Sequence, residues 1–180
     1  STLSEYYVND AFGSAHREHC STATIARFFD KEHKSFGLLM DAEVKNASKV
    51  MDNPERPFTA ILGGAKVSDK INLISSLIDR CDNILIGGGM AYTFLKAKGY
   101  EVGLSLVDNE KLEYCVEMIK KAEKLGKKLL LPLDTVVADA FPQPIDGPIS
   151  VEEVKVEAIP ADKLGLDIGS LSCKLFTEAI

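Results

Sequence analysis

The chain has 180 residues, 46% of them hydrophobic and 27% charged, with a formal net charge of −6. This composition is typical of a soluble globular protein with one domain-sized core, and it excludes a disordered chain. The acidic balance argues against a nucleic-acid partner, and the apolar runs are far too short to span a membrane. The scattered cysteines include no CxxC pair, which predicts free thiols and a cytoplasmic location.

The first fifty residues predict a short strand and two helices, over 5–8, 22–29 and 38–51. The polar residues 30–35 between the helices predict a surface loop. In the second helix, apolar side chains at helical spacing predict one buried face, formed by Leu39, Val44, Ala47 and Met51. Pro54 and Pro57 follow this helix and end it, because proline cannot continue the hydrogen-bond ladder.

From residue 58 onward, strands and helices alternate. The predicted strands cover 58–62, 83–86 and 128–138, and the predicted helices cover 70–80, 90–98, 109–125 and 170–180. Gly126 ends the third of these helices, and Ser170 is the expected N-cap of the fourth. Apolar strands separated by helices predict a three-layer, Rossmann-like α/β fold, a parallel sheet with helices on both faces. We expect this sheet to be incomplete at both chain ends.

The segment between the last predicted strand and the last helix is less regular. Residues 139–148 carry three prolines and predict a surface excursion. Residues 150–157 (SVEEVKVE) predict an antiparallel edge strand. Asp134 lies near the end of the preceding apolar run, and we expect it to make structural hydrogen bonds rather than to bind a ligand.

The segment 61–70 (ILGGAKVSDK) carries the first candidate site. It predicts a strand, a glycine turn and the beginning of a helix, with Lys66 and Lys70 one helical turn apart. A helix N-terminus offers unpaired N–H groups to phosphate, and both lysines would point at such an anion. The alternative is an ordinary strand–turn–helix connection with two solvated lysines, since short glycine motifs often occur without a ligand.

A second glycine turn, Gly87 to Gly89, follows the next strand. Open α/β sheets bind ligands at the carboxyl ends of their strands, so two successive turns would fit an adenine nucleotide between them. The alternative is a tight turn that only needs positive φ angles. The chain has no GxGxxG and no GxxxxGK[ST] motif, which argues against dinucleotide-binding dehydrogenases and P-loop enzymes.

His16 and His19 have a spacing that metal ligands can use, but no third ligand is apparent in the sequence. We therefore predict no metal site built from protein side chains. For Arg17, the residues alone favour a surface ion pair with Glu18. Asp69 either orients Lys66 or Lys70 or lies near a metal ion, or it is simply a carboxylate that the helix dipole stabilises.

Five segments in this order resemble phosphoglycerate kinase, the family that exchanges a phosphoryl group between 1,3-bisphosphoglycerate and ADP. They are residues 7–17 (YVNDAFGSAHR), 57–70 (PFTAILGGAKVSDK), 84–95 (ILIGGGMAYTFL), 131–139 (LPLDTVVAD) and 165–169 (GLDIG). The family chain is considerably longer, and the resemblance is to its middle. By this resemblance the protein is a monomeric, cytoplasmic enzyme of glycolysis, and Mg²⁺ arrives with ADP or ATP.

The resemblance implies a role for each candidate residue. Lys66 would contact the transferring phosphoryl group as the catalytic residue, and Lys70 would hold the nucleotide phosphates. The two turns would line the adenine pocket through Gly64, Ala65, Gly88 and Gly89. The apolar side of that pocket would be formed by Leu106, Leu164 and Leu166. His16 and Arg17 would lie beside the phosphoglycerate, where an arginine fork suits phosphate or carboxylate oxygens.

The resemblance also implies a domain division. Residues 1–35 would end the phosphoglycerate-binding domain, 36–52 would be the interdomain helix, and 53–180 would be a nucleotide-binding domain truncated at its C-terminal end. Other functional segments of the family do not occur in this sequence, so we expect the chain alone to transfer phosphate poorly or not at all. The alternatives are a non-catalytic adenine-nucleotide-binding fragment and a different α/β enzyme such as a dehydrogenase.

Overall fold

Two parallel sheets, one antiparallel sheet and their flanking helices form the structure, a computed structural model that describes residues 4–144 and 147–180. The chain divides into two units, residues 1–55 and 56–180. Parallel sheets flanked by helices confirm the predicted α/β class. Residues 145 and 146 of the predicted excursion lie outside the described residues.

In the first unit, strand β1 (Tyr7–Asn9) pairs in parallel with strand β2 (Lys34–Phe36). The prediction of a polar loop over 30–35 was therefore wrong at Lys34 and Ser35, which belong to β2. The strand is short, and its sequence does not show the alternation of apolar and polar residues that predicts a strand. The predicted helix over 22–29 was also wrong. The chain instead forms a π-helical turn, Cys20–Thr24, followed by a 3₁₀ turn, Ile25–Phe28. β-Branched residues in this stretch lose side-chain freedom in a regular α-helix.

Helix α1 (Leu38–Asp52) confirms the second predicted helix. The backbone N–H of Met40 donates to Oδ1 of Asp10 at 2.8 Å, so this carboxylate caps the helix N-terminus. The predicted apolar face is largely exposed: Leu39 keeps 50% and Met51 43% of their surface accessible. Met40 is the buried residue of this helix.

The second unit contains a three-stranded parallel sheet in the order β3-β4-β5. Its strands are β3 (Thr59–Leu62), β4 (Asn83–Ile86) and β5 (Lys128–Leu130). Helix α2 (Ile71–Arg80) follows β3 in the chain. Helices α3 (Met90–Ala97) and α4 (Leu112–Lys124) lie between β4 and β5 in the sequence. Strand β4 is buried throughout, whereas Ile61 of β3 is 65% exposed. In the described residues β3 pairs only with β4, so β3 is an edge strand.

An antiparallel sheet completes this unit, in the order β7-β6-β8. Its strands are β6 (Asp134–Ala138), β7 (Glu152–Lys155) and β8 (Leu164–Ile168), and helix α5 (Ser170–Glu178) follows. Strand β7 confirms the predicted antiparallel edge strand. The single strand predicted over 128–138 was wrong, because the chain leaves one sheet and enters the other around Pro132, which has no N–H for a ladder.

The amino ends of the parallel strands meet at Asp82. Its Oδ2 accepts from Nη1 of Arg56 and from the backbone N–H of Phe58, both at 2.8 Å. Its Oδ1 lies 3.4 Å from Nζ of Lys127, and its carbonyl accepts from the N–H of Lys128 at 3.0 Å. The hydrogen bond from Arg56, followed by the one from Phe58, lowers the pKa of Asp82 to about 2.

Two helix ends involve predicted residues. Gly126, with a φ of +65°, follows the end of α4 as expected. Helix α5 was predicted to have Ser170 as its N-cap, but the cap position is Gly169, and the capping acceptor is the buried Asp134. Asp134 therefore has the structural role expected of it. Among the helices in the described ranges, none is long and apolar enough to cross a membrane.

Candidate functional site

The first glycine turn follows strand β3 at its carboxyl end. Gly64 has a φ of +145°, which side chains other than hydrogen rarely allow. A Cβ built on Gly64 would lie 3.3 Å from Cε and 3.7 Å from Nζ of Lys70. The side chain of Lys70 therefore folds back over the turn and places its ammonium group beside the bare backbone of Gly64.

The second glycine turn packs directly against the first. Gly88 has a φ of +63°, and a Cβ there would lie 2.9 Å from the backbone nitrogen of Gly64. A Cβ on Gly89 would lie 3.3 Å from the carbonyl oxygen of Ala65. The N–H of Met90 donates to the carbonyl of Gly64 at 2.8 Å. The structure thus brings the predicted pocket residues Gly64, Ala65, Gly88 and Gly89 together. A side chain at Gly88 or Gly89 would push the two turns apart.

Lys66 lies at the surface between the first turn and helix α2. It precedes the 3₁₀ turn Ser68–Lys70, so the prediction that both lysines lie one helical turn apart was wrong. The reason is Val67, which is fully buried and fixes the chain in a turn before the helix begins. Within the described residues, neither lysine ammonium has a hydrogen-bond or ion-pair partner. This edge of the sheet therefore presents two available cations, an arrangement suited to an anionic ligand.

The predicted apolar residues lie on a loop and a strand that run side by side. Ser105 Oγ accepts from the N–H of Gly165 at 2.9 Å, and the N–H of Leu104 donates to the carbonyl of Lys163 at 2.8 Å. These bonds hold the segment that carries Leu106 against β8, which carries Leu164 and Leu166. Leu106 is 48% exposed. Leu166 lines a small pocket together with Gly88 of the second glycine turn.

Sequence reasoning missed two residues at this site. Tyr92 is buried in α3, and its hydroxyl lies 2.6 Å from Oγ1 of Thr135. Burial raises the pKa of Tyr92. Asp108 accepts from the N–H of Ser68 at 3.2 Å, and its own N–H donates to Oγ1 of Thr93 at 3.0 Å. In the sequence, Asp108 precedes the predicted helix 109–125, and an aspartate at that position predicts an N-cap. It does not predict the contact with Ser68.

The candidates His16 and Arg17 belong to the first unit, where both are exposed. Nε of Arg17 lies 3.2 Å from Nε2 of His16. Glu18 pairs with Arg27, so the ion pair between Arg17 and Glu18 is not formed. Across residues 4–144 and 147–180, no group of three His, Cys, Asp or Glu side chains could hold a metal ion.

The model of the phosphoglycerate kinase family matches residues 1–180, the whole chain. The chain belongs to the phosphoglycerate kinase family. It is 49% identical over 179 residues to a phosphoglycerate kinase of Clostridium botulinum, covering 99% of this chain and 44% of that protein. A phosphoglycerate kinase of Porphyromonas gingivalis is 46% identical over 179 residues. This match covers 99% of this chain and 42% of that protein.

Solved phosphoglycerate kinase structures have the same fold. The Coxiella burnetii structure matches with a TM-score of 0.86 and 34% identity, over 97% of this chain and 43% of that chain. The Pyrococcus horikoshii structure matches with a TM-score of 0.72 and 27% identity, over 96% of this chain and 43% of that one. The chain therefore spans less than half the length of the phosphoglycerate kinases it matches.

Proposed function

We propose that this chain carries the adenine-nucleotide-binding part of a phosphoglycerate kinase. The reaction is the reversible transfer of a phosphoryl group from 1,3-bisphosphoglycerate to MgADP, giving 3-phosphoglycerate and ATP. The observation that carries the proposal is the pair of backbone-packed glycine turns with Lys70 folded over Gly64. Lys66 lies two residues after that glycine in the sequence, and its ammonium has no hydrogen-bond or ion-pair partner among the described residues.

Phosphoryl transfer depends on positioning the reactants and on neutralising negative charge, and it needs no protein nucleophile. In our proposal the Lys66 ammonium contacts the transferring group as the catalytic residue, and Lys70 holds the phosphates of the nucleotide. The bare backbone of Gly64, Ala65, Gly88 and Gly89 allows the nucleotide to approach closely. Leu106, Leu164 and Leu166 form the apolar side of the adenine pocket.

The phosphoglycerate part of the reaction is assigned to the first unit. His16 and Arg17 are exposed and adjacent, and Arg17 is not engaged by Glu18. The guanidinium fork can bind two oxygens of a phosphate or carboxylate at once. We propose that these two residues contact 3-phosphoglycerate or 1,3-bisphosphoglycerate.

Mg²⁺ fits the site as an ion that arrives with the nucleotide. Magnesium bound to nucleotides keeps several waters and takes one or two protein carboxylates, so a dedicated protein cage is not needed. Asp69 is an exposed carboxylate between the two lysines in sequence and is the residue that would hold the ion. When bound, the ion neutralises phosphate charge. We also propose a cytoplasmic, glycolytic and monomeric protein.

The activity of these 180 residues alone is a separate question, since they span 44% of the Clostridium botulinum relative. We propose that the chain by itself transfers phosphate poorly or not at all. The second candidate function, favoured by the same difference in length, is a non-catalytic protein that binds adenine nucleotides.

The test is phosphoryl transfer from 1,3-bisphosphoglycerate to MgADP, measured for the chain and for a chimera. In the chimera, residues 1–180 replace the matching part of the Clostridium botulinum enzyme. We expect an active chimera, a Lys66→Ala chimera slower by about 100-fold or more, and an unchanged Lys120→Ala control. Lys120 is an exposed lysine on α4.

Each outcome separates the candidates. Lys66-dependent activity of the chain alone would refute the expectation that it is inactive. An active chimera with an inactive chain that still binds MgADP supports the non-catalytic candidate for the chain. A folded chimera without activity, or one insensitive to Lys66→Ala, overturns the proposed role of this site.

A further inference from the structure

We propose that Asp108 is a positioning residue that couples the phosphate side of the nucleotide site to its apolar side. The inference rests on the proposed function, because it concerns how the same site binds ADP. Among the hydrogen bonds of the described residues, Asp108 makes none to a proposed ligand-binding side chain. It acts through the backbone of the segments that carry those side chains.

On the phosphate side, the Asp108 carboxylate binds the entrance to helix α2. The N–H of Ser68, the first residue of the 3₁₀ turn between Lys66 and the helix, donates to Oδ2 of Asp108 at 3.2 Å. The carboxylate thereby fixes the turn that contains Lys70 and begins two residues after Lys66. It also occupies an N–H group that a phosphate would otherwise accept from, so the lysine side chains become more important for anion binding.

On the other side, the backbone of Asp108 is anchored to helix α3. Its N–H donates to Oγ1 of Thr93 at 3.0 Å. Thr93 is fully buried and lies three residues after Met90, the first residue of α3. That helix follows the second glycine turn directly. Asp108 therefore joins the segment after the first glycine turn to the helix after the second.

The loop that ends at Asp108 reaches the apolar residues as well. Near its beginning, Leu104 is bonded to Lys163, just before β8, and Ser105 is bonded to Gly165 in β8. Leu106 lies between these bonds and Asp108. Both ends of the loop are thus held, one by the strand that carries Leu164 and Leu166 and one by the entrance to α2. Releasing the Asp108 end frees Leu106 and the lysine turn to move independently, which raises the entropy lost when ADP binds both.

The test compares ADP with its two halves, adenosine and inorganic pyrophosphate. NMR titration of the 180-residue chain measures the dissociation constants, including those in the millimolar range. We expect Asp108→Ala to weaken ADP binding about tenfold while each half changes by about twofold or less. Asp108→Asn keeps an acceptor oxygen for Ser68 and should restore most of the ADP affinity.

Two further variants make the result specific. Glu110→Gln removes an exposed negative charge two residues away and should leave all three affinities unchanged. Thr93→Val removes the acceptor for the Asp108 N–H at similar volume, and we expect the same selective loss of ADP affinity. This variant also tests the coupling if Asp108→Ala does not fold.

The contrary outcomes are distinct. If the unsubstituted chain binds neither ADP nor pyrophosphate, the proposed nucleotide site is wrong and the inference falls with it. If the chain binds ADP and Asp108→Ala binds it equally well, the coupling alone is overturned. Equal weakening of the binding of ADP, adenosine and pyrophosphate also overturns the coupling, because it indicates a general loss of structure. Tighter binding of ADP and pyrophosphate by both Asp108→Ala and Asp108→Asn overturns it as well, because it indicates a simple charge effect.

Discussion

The hydroxyl of Tyr92 occupies the space in which a side chain at residue 165 would begin. A Cβ added to Gly165 would overlap the hydroxyl oxygen and two ring carbons of Tyr92. Tyr92 cannot easily withdraw, because it is 5% exposed and its hydroxyl is bonded to Thr135. Gly165 also lies between Leu164 and Leu166 on β8, so this contact determines how the strand with the proposed adenine-pocket residues lies against α3.

Gly165→Ala should therefore destabilise the second unit. The methyl group must displace a buried aromatic ring or the strand, and overpacking of this kind costs about 3 kcal/mol. Urea unfolding followed by far-UV circular dichroism measures the change. Gly63→Ala is the matched control, since a Cβ there would meet its nearest atom at 3.8 Å, an ordinary contact. Equal stability of the two variants would contradict the steric explanation.

Asp82→Asn should reduce stability at neutral pH by an amount that disappears in acid. The pKa of Asp82 is about 2 in the folded protein, against an ordinary value of 3.8. A carboxylate with a lowered folded pKa contributes its full stability above the unfolded value and loses it as the pH falls through the folded value. The difference between the variant and the original chain should thus be constant above about pH 5 and shrink towards pH 2.

The measurement is a series of urea denaturation curves between pH 7 and pH 2. Asp162→Asn, which removes an exposed carboxylate, serves as the control and should show a much smaller difference at pH 7. A difference for Asp82→Asn that persists at pH 2 would show that charge is not the cause.

Asp134→Ala should detach the N-terminus of helix α5. The carboxylate of Asp134 accepts from the N–H groups of Leu171 and Ser172, each at 2.8 Å. Burial raises the pKa of Asp134, but hydrogen bonds from Ser172 and Leu171 outweigh burial and leave the pKa below its ordinary value. Loss of this cap should cost about 2 kcal/mol.

Thermal unfolding and amide hydrogen exchange check the prediction for Asp134→Ala. Faster exchange should be concentrated at the beginning of α5, and Asp139→Ala, which removes an exposed carboxylate from the surface, should leave it unchanged. Uniformly faster exchange across the unit would argue for a general role of Asp134 instead.

The four cysteines should react in two groups. Cys20 and Cys173 are exposed, whereas Cys81 and Cys115 are buried. Burial raises the pKa of both buried thiols, that of Cys115 to about 12, which lowers the fraction of reactive thiolate. A thiol-exchange reagent at pH 8 should label the thiols of Cys20 and Cys173 rapidly. It should label Cys81 and Cys115 only after urea is added. Mass spectrometry of the labelled peptides identifies them, and early labelling of Cys115 would contradict the buried environment.

The sequence predicted those parts of the fold that depend on local pattern. Helix α1 and helix α4 were found from helical spacing and from the proline or glycine that follows them. The two glycine turns were found because each follows an apolar strand. Strand β8 was not found, since Leu164–Ile168 contains a glycine and an aspartate and shows no clear alternation.

The missed site residues depend on contacts between distant parts of the chain. Ser68 and Asp108 are 40 positions apart, and Tyr92 and Thr135 are 43 apart. No periodicity relates such pairs, and only the assembled sheets and helices bring them together. The predicted helical spacing of Lys66 and Lys70 was wrong, because the buried Val67 holds the chain in a turn before the helix starts.

The Asp82 cluster gives the parallel sheet an asymmetry along its strands. One residue ties the start of β3 and the start of β5 to the start of β4, through Phe58 and Lys128. At the opposite edge, the glycine turns contact each other through their backbones, and the N–H of Met90 donates to the carbonyl of Gly64. Because Asp82 joins the three strands where they begin, we expect local opening of the sheet to start at the strand ends that carry the glycine turns. The turns would then adjust to an incoming molecule while the pairing of the strands stays in register.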